Sequence, residues 1–164
     1  MFSQKVQDTM NQQIKHEMYS AYMYLSMSAQ CESANLPGFA RWLRHQAEEE
    51  MEHAMKFYDF IHERNGKVSL YAIDQPPSEF GTPREIFEQV YAHEQKVTGL
   101  INEIYKAAVD ENDYPSQVFL HWFINEQVEE ENNSSQVLET LKMIGESTNG
   151  LFMLDHQLGK RSGE

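Results

Sequence analysis

The sequence predicts an all-α protein, a four-helix bundle with one long crossover between its second and third helices and a short fifth helix at the C-terminal end. Three observations predict it. Proline and glycine are confined to a few places in the 164 residues, leaving long stretches of roughly 25 to 30 residues, each about 40 Å long as a helix. Within these stretches apolar residues recur at the spacing of one helix face. Of the joints between them, two are short, as antiparallel neighbours require, and one is far too long for a hairpin. The expected organisation is a single domain over residues 1–164, with the bundle over about 3–145 and the terminal helix over about 147–160.

On the first helix Val6, Met10, Ile14, Ala21 and Tyr24 share a face, and Glu17 stands in the middle of it. The chain then breaks at Asn35-Leu36-Pro37-Gly38. The second helix sets Phe39, Leu43, Ala47, Ala54, Phe57 and Ile61 around Glu50. His53 follows one turn on and about 60° to the side, so Glu50-x-x-His53 reaches one centre. The stretch from Gly66 to Pro83, GKVSLYAIDQPPSEFGTP, is expected to run the length of the bundle. On the third helix Glu94 lies among Phe87, Val90, Ile101, Tyr105 and Ala108. After a break at Asn112-Asp113-Tyr114-Pro115, the fourth places Glu130 among Phe119, Phe123, Val137, Leu141 and Ile144. Gly145 and Gly150 set off the fifth segment, NGLFMLDHQLGKR, which is short and amphipathic. Asp110, Glu111 and Asp113 read as an acidic turn rather than a cation channel.

Composition narrows the function. Asp+Glu 26 against Lys+Arg 13 gives a net charge of −13, a field that repels phosphate and argues against general nucleic-acid binding. At 40% hydrophobic residues the chain has material for a core. A single cysteine, Cys31, leaves no internal disulfide and no cysteine-based zinc site, and points to a reducing cytoplasm. No apolar run approaches the ~20 residues of a membrane span, and the polar start of the chain reads neither as a signal peptide nor as an anchor.

Each long helix therefore carries one carboxylate on its core face, and their heights agree: Glu17 lies roughly 18 residues before the first short joint and Glu50 roughly 15 after it, with Glu94 and Glu130 similarly placed about the joint near Tyr114. Burying an unpaired carboxylate costs several kcal/mol, so four together would consume the ~5–15 kcal/mol net stability of a domain. No Lys or Arg stands on these stripes; the interior polar neighbours are His53, Gln127 and Tyr24. Shared protons neutralise part of such a cluster. Two divalent cations neutralise all of it. Oxygen donors with one imidazole and no thiolate suit iron or manganese better than structural zinc or copper, with Glu50 and Glu130 placed to be shared between two ions. A single such acid reads equally well as a side chain tilted to solvent, which four at matched height do not. Tyr24 on this evidence alone is plain core as readily as a redox or hydrogen-bonding group.

At these residues the sequence resembles the ferritin family, and within it the bacterial and archaeal non-haem ferritins. EMYSAYMYLSMSAQ, GFARWLRHQAEEEMEHAMKFYDFI, YAHEQKVT and FLHWFINEQVEEE follow in the expected order over almost the whole chain. The resemblance implies a ferritin-like bundle in a hollow homo-oligomer of 24 subunits. It implies an iron-storage ferroxidase that oxidises Fe(II) with O2 or H2O2 at a di-iron centre in each subunit and keeps Fe(III) as mineral. By the same resemblance Glu17, Glu50 and His53 hold one iron, and Glu94 and Glu130, with Glu50 bridging, hold the second. Gln127 matches the residue beside the second iron, and Tyr24 the tyrosine that hydrogen-bonds near the centre and lends an electron. Glu49, Glu126, Glu129 and Glu130 match a third iron position, and the helical wheel permits it, the alternative being a solvated acidic face in EQVEEE.

Bacterioferritins repeat Glu-x-x-His on the fourth helix, where this chain reads Gln127-x-x-Glu130. Met51 stands where they place the haem-ligating methionine, but non-haem ferritins carry Met there too, and haem is not expected. Rubrerythrins need a Cys-x-x-Cys pair that this sequence lacks. Tyr19, Tyr22 and Met23 make a second apolar face on the first helix, to be covered by another copy of the chain or by the crossover. His16, His45, His62, His93, His121 and His156 have no recognisable ligand partner and read as surface or packing residues. Three functions compete: a storage ferroxidase, a di-iron oxidase or peroxidase that stores nothing, and a structural module stapled by metal.

Overall fold

The computed structural model describes residues 1–161; the last three residues of the expected domain lie outside them. Five helices follow in order: α1 (Gln4–Ser33), α2 (Pro37–Glu63), α3 (Pro83–Asp110), α4 (Tyr114–Ile144) and α5 (Thr148–Leu158). Among the described residues no helix is long and apolar enough to cross a membrane.

Local chemistry sets the starts and stops. Ser3, Asp113 and Ser147 accept from backbone N–H groups at the starts of α1, α4 and α5, and Thr82 with Glu85 forms a reciprocal capping box on α3. Pro37, Pro83 and Pro115 occupy first-turn positions, where a missing N–H costs nothing. At the exits of α1, α2 and α3 the chain passes through Asn35, Asn65 and Asn112 at φ 57°, 56° and 53°, the left-handed conformation that asparagine tolerates best after glycine.

Residues 64–82 form the crossover, which lies along α1 from end to end. Lys67 N donates to Gln7 Oε1 (2.8 Å) and Ser69 N to Asn11 Oδ1 (2.8 Å) near the start of α1. Ser26 Oγ donates to the Pro77 carbonyl (2.6 Å) and Gln30 Nε2 to the Gly81 carbonyl (2.7 Å) near its end. The chain thus enters α3 at the end of the bundle where α1 finishes, so α2 and α3 run parallel.

The core is divided in two. Val6, Met10, Ile14, Phe57, Ile61, Ile101 and Phe123 belong to one cluster; Met27, Phe39, Leu43, Phe87, Val90 and Leu141 belong to the other. Between them lies a layer of buried polar side chains. The second apolar face expected on α1 is not as open as its sequence suggests. Met23 is buried in the second cluster and Tyr19 is half-buried with its ring 6.4 Å from His93 of α3, leaving Tyr22 exposed. A bundle helix touches two neighbours, so its buried arc is wider than one stripe.

The α5 helix docks across the start of α2. No side chain of α2's own segment caps it, and buried Asp155 of α5 does so instead, accepting from Phe39 N at 3.0 Å. The contact is so close that a Cβ on Gly38 would lie 1.6 Å from the Asp155 carbonyl oxygen.

Candidate metal centre

The four expected carboxylates meet at mid-bundle. Glu17 on α1, Glu50 on α2, Glu94 on α3 and Glu130 on α4 are all buried, as are His53, Gln127 and Tyr24. Their ligand atoms form overlapping groups, each lying within 4.8 Å: Glu17, Glu50 and His53; Glu50, Glu94 and Glu130; and His53, Glu126 and Glu130. Glu50 therefore belongs to both groups of the expected pair. The His53 ring faces two ways, with Nδ1 3.4 Å from Glu50 Oε2 and Nε2 3.9 Å from Glu126 Oε1.

Amides and one phenol orient the acids. Gln13 Nε2 donates to Glu17 Oε1 (2.9 Å), and Gln46 Nε2 to Glu50 Oε1 (3.3 Å) and Glu130 Oε2 (2.6 Å). Gln127 Nε2 donates to Glu94 Oε2 (3.2 Å), and the Tyr24 hydroxyl donates to Glu94 Oε1. Tyr24 is in turn held by His93, whose ring meets it edge-on at 5.8 Å and whose Nε2 is 2.7 Å from Ser20 Oγ. Gln13 and Gln46, not singled out in the sequence, each stand four residues before the acid they hold, a spacing that places them on the same helix face.

Electrostatics in this layer favour the protonated acids. Burial and then the charge of Glu50 push Glu17 well above the ordinary carboxylate range, and burial followed by Glu94 does the same to Glu50. Glu130 is raised to about 8 by burial and the nearby Glu94. Glu94 is raised less freely, because Tyr24 and Gln127 donate to its charged form. Burial keeps the Tyr24 phenol protonated, with Glu94 adding to the effect. Glu17 Oε2 is buried and meets no N–H or hydroxyl donor among the described residues, so in the metal-free protein its one possible partner is a proton shared with Glu50. Acids packed this way stay buried only with protons or a cation between them, and oxygen donors with one imidazole suit a hard divalent metal.

The outer acids differ among themselves. Glu126 joins His53 and Glu130, and its carboxyl is raised by burial. Glu129 is exposed. Glu49 is half-buried and ion-paired with Arg161 at 2.6 Å. Among the described residues neither forms part of a group of three within 4.8 Å, although both repel the charge on Glu126. Nothing in the sequence flagged Arg161, which lies 112 residues from its partner. Asp113, by contrast, caps α4 and pairs with Arg64 at 2.9 Å, a structural task in keeping with an acidic turn.

The family model for a ferritin-like domain matches residues 7–144. The chain belongs to the ferritin family. Among its relatives, the bacterial non-haem ferritin of Bacteroides fragilis (strain 638R) is 41% identical over 161 residues, covering 98% of this chain and 100% of that protein. The bacterial non-haem ferritin of Escherichia coli O6:H1 is 34% identical over 158 residues, 96% of each chain. Among solved structures, an open-pore ferritin of the hyperthermophilic archaeon Archaeoglobus fulgidus superposes with a TM-score of 0.98 at 45% identity, covering 99% of this chain and 100% of that one. In this ferritin the groups that could hold a metal ion are, among the described residues, those that the helices bring to mid-bundle, and the short α5 lies outside the matched span.

Proposed function

We propose that this ferritin is an iron-storage ferroxidase, oxidising Fe(II) with O2 or H2O2 inside each bundle and keeping Fe(III) as mineral in a 24-subunit shell in the cytoplasm. The observation that carries it is the buried layer of four carboxylates and one imidazole, with a Glu17 oxygen that no N–H or hydroxyl donor reaches among the described residues. Glu17, Glu50 and His53 take one Fe(II), and Glu94 and Glu130 take the second, with Glu50 common to both. Substrate entry displaces the protons that the metal-free acids hold, so uptake releases protons and tightens as pH rises. With H2O2, two Fe(II) give one electron each, and with two protons the peroxide becomes two waters. Gln13, Gln46 and Gln127 hold the carboxylates in place while their charge changes. Tyr24 donates to Glu94 beside the reacting ions and acts there as a hydrogen-bond donor, the two Fe(II) supplying both electrons. Glu126 with His53 and Glu130, extended by Glu49 and Glu129, offers a third position for outgoing iron.

The test is aerobic addition of Fe(II), followed by absorbance of oxidised iron. Glu50→Ala removes a ligand from both ions and His53→Ala from one; both are expected to slow the initial rate by about 10-fold to 100-fold. Wild-type rates in both variants would refute the assignment.

A further inference from the structure

The four bundle helices do not close the centre alone. Beyond α5 the chain returns over α2, and the Arg161 guanidinium lies 4.5 Å above the Trp42 ring. From there Nη1 donates to the Trp42 carbonyl (3.3 Å) and to Gln46 Oε1 (3.1 Å), and Nη2 donates to Glu49 Oε2 (2.6 Å). Gln46 is the residue whose amide reaches both Glu50 and Glu130. One arginine from the C-terminal segment thus grips the outer acid directly and the inner pair through a single amide.

Three features make this more than a surface ion pair. The guanidinium is stacked and mostly shielded, its side chain 19% exposed, so screening by salt is reduced. Its charge is permanent, because a guanidinium is not deprotonated in proteins. Its position is also specific: Glu49 sits one residue before Glu50, beside an acidic neighbourhood that includes Glu126 and Glu129. A metal ion using Glu49 as a ligand and a guanidinium bonded to the same carboxylate would repel each other across a few ångströms, a strong penalty in a partly buried site.

We propose that Arg161 is a tethered cation of the metal centre, holding Glu49 in the place of an ion, so that an ion beside His53, Glu126 and Glu130 gains Glu49 as a ligand only by displacing the C-terminal segment. The outer position is then governed by how firmly α5 and its tail are docked. This rests on the metal-binding reading of the centre given above, and the test separates the two.

Metal-free, full-length protein is titrated with Zn2+, a redox-inert divalent ion, by equilibrium dialysis, comparing wild type with Arg161→Gln. The most weakly held Zn2+ is expected to bind about tenfold more tightly in the variant, the scale of one partly shielded ion pair, with the two tight ions unchanged within about twofold. A general loosening of the fold would weaken all three. In parallel, Trp122→Phe leaves Trp42 as the one tryptophan. Its emission is expected to change only as the last ion binds, because Arg161 then leaves the ring. Equal or weaker binding of that ion in Arg161→Gln, or Trp42 emission that ignores it, overturns the inference. Should Arg161→Gln fail to fold, Trp42 emission decides alone. Three ions of equal affinity in both proteins sink the role of Arg161 and leave the outer position standing. No third ion in either protein sinks the outer position, and the inference with it.

Discussion

Four glutamates within one packed layer hold protons that the same residues would shed in an unfolded chain. Each native value is raised, Glu130 reaching about 8 from an ordinary 4.5, so the folded metal-free protein binds more protons than the unfolded one between those limits. Stability is therefore complete below the ordinary carboxylate value and is lost as pH rises through the native ones. We expect the calorimetric Tm of the metal-free protein to fall by several degrees between about pH 5 and pH 8, and saturating Zn2+ to flatten that slope, because the ion takes the protons' place. A metal-free Tm that is level over this range would mean that the acids are compensated in some other way. Tyr24 works in the same layer but keeps its proton when the acids give theirs up to an ion: its phenol donates to Glu94, and burial keeps it protonated.

Among the elements, α5 has the most conditional place. It is held by Leu154 and Leu158 in the core, by Asp155 on the start of α2, and by the close approach at Gly38. Gly38→Ala sets a methyl group against backbone, which cannot turn aside, so α5 must shift or undock. Denaturant unfolding is expected to show a loss of about 2–4 kcal/mol, the scale of a lost cap and partly exposed leucines. The control is Gly99→Ala on the exposed face of α3, where a Cβ meets nothing within 4 Å. That change is expected to stabilise by about 0.5–1 kcal/mol through helix propensity. Similar effects of both substitutions would show that the Gly38 contact carries no docking energy.

At the scale of the whole molecule, one apolar groove among the described residues is left uncovered beside the crossover. Met18, Ala21, Tyr22, Leu25, Met51 and Ile73 line a groove of about 630 Å³ between α1, α2 and the crossover, with Tyr22 and Leu25 about half exposed, at 51% and 49%. Covering such side chains on both partners yields several kcal/mol per contact at ~25 cal/mol per Å², and closed symmetry repeats the gain over a particle. Tyr22→Glu is expected to shift sedimentation in the ultracentrifuge from a large particle to dimers or monomers, with helix content retained. A wild-type species no larger than a dimer at micromolar concentration would refute storage and favour a di-iron oxidase that stores nothing.

How much of this was legible in one dimension follows from the range of the forces involved. Helix number, the asparagine exits, the proline starts and the long crossover rest on local steric and hydrogen-bonding preferences, and the matched heights of Glu17, Glu50, Glu94 and Glu130 follow from counting residues at a fixed rise. Glu50-x-x-His53 is likewise local, so its convergence was present in the spacing; Gln13 and Gln46 share such a spacing but were not singled out, and the reach of Gln46 to Glu130, 84 residues on, is decided by packing. The rest needed chain segments far apart in sequence to meet. Met23 is interior because a second helix covers that arc of α1, which no single-helix pattern records. Glu126 turns toward His53 while Glu129 faces solvent, because the angle between α2 and α4 decides which arc of EQVEEE is inward. Arg161 reaches Glu49 and Gln46 across more than a hundred residues, through the docking of α5, and only the packed chain brings that charge to the edge of the acidic layer.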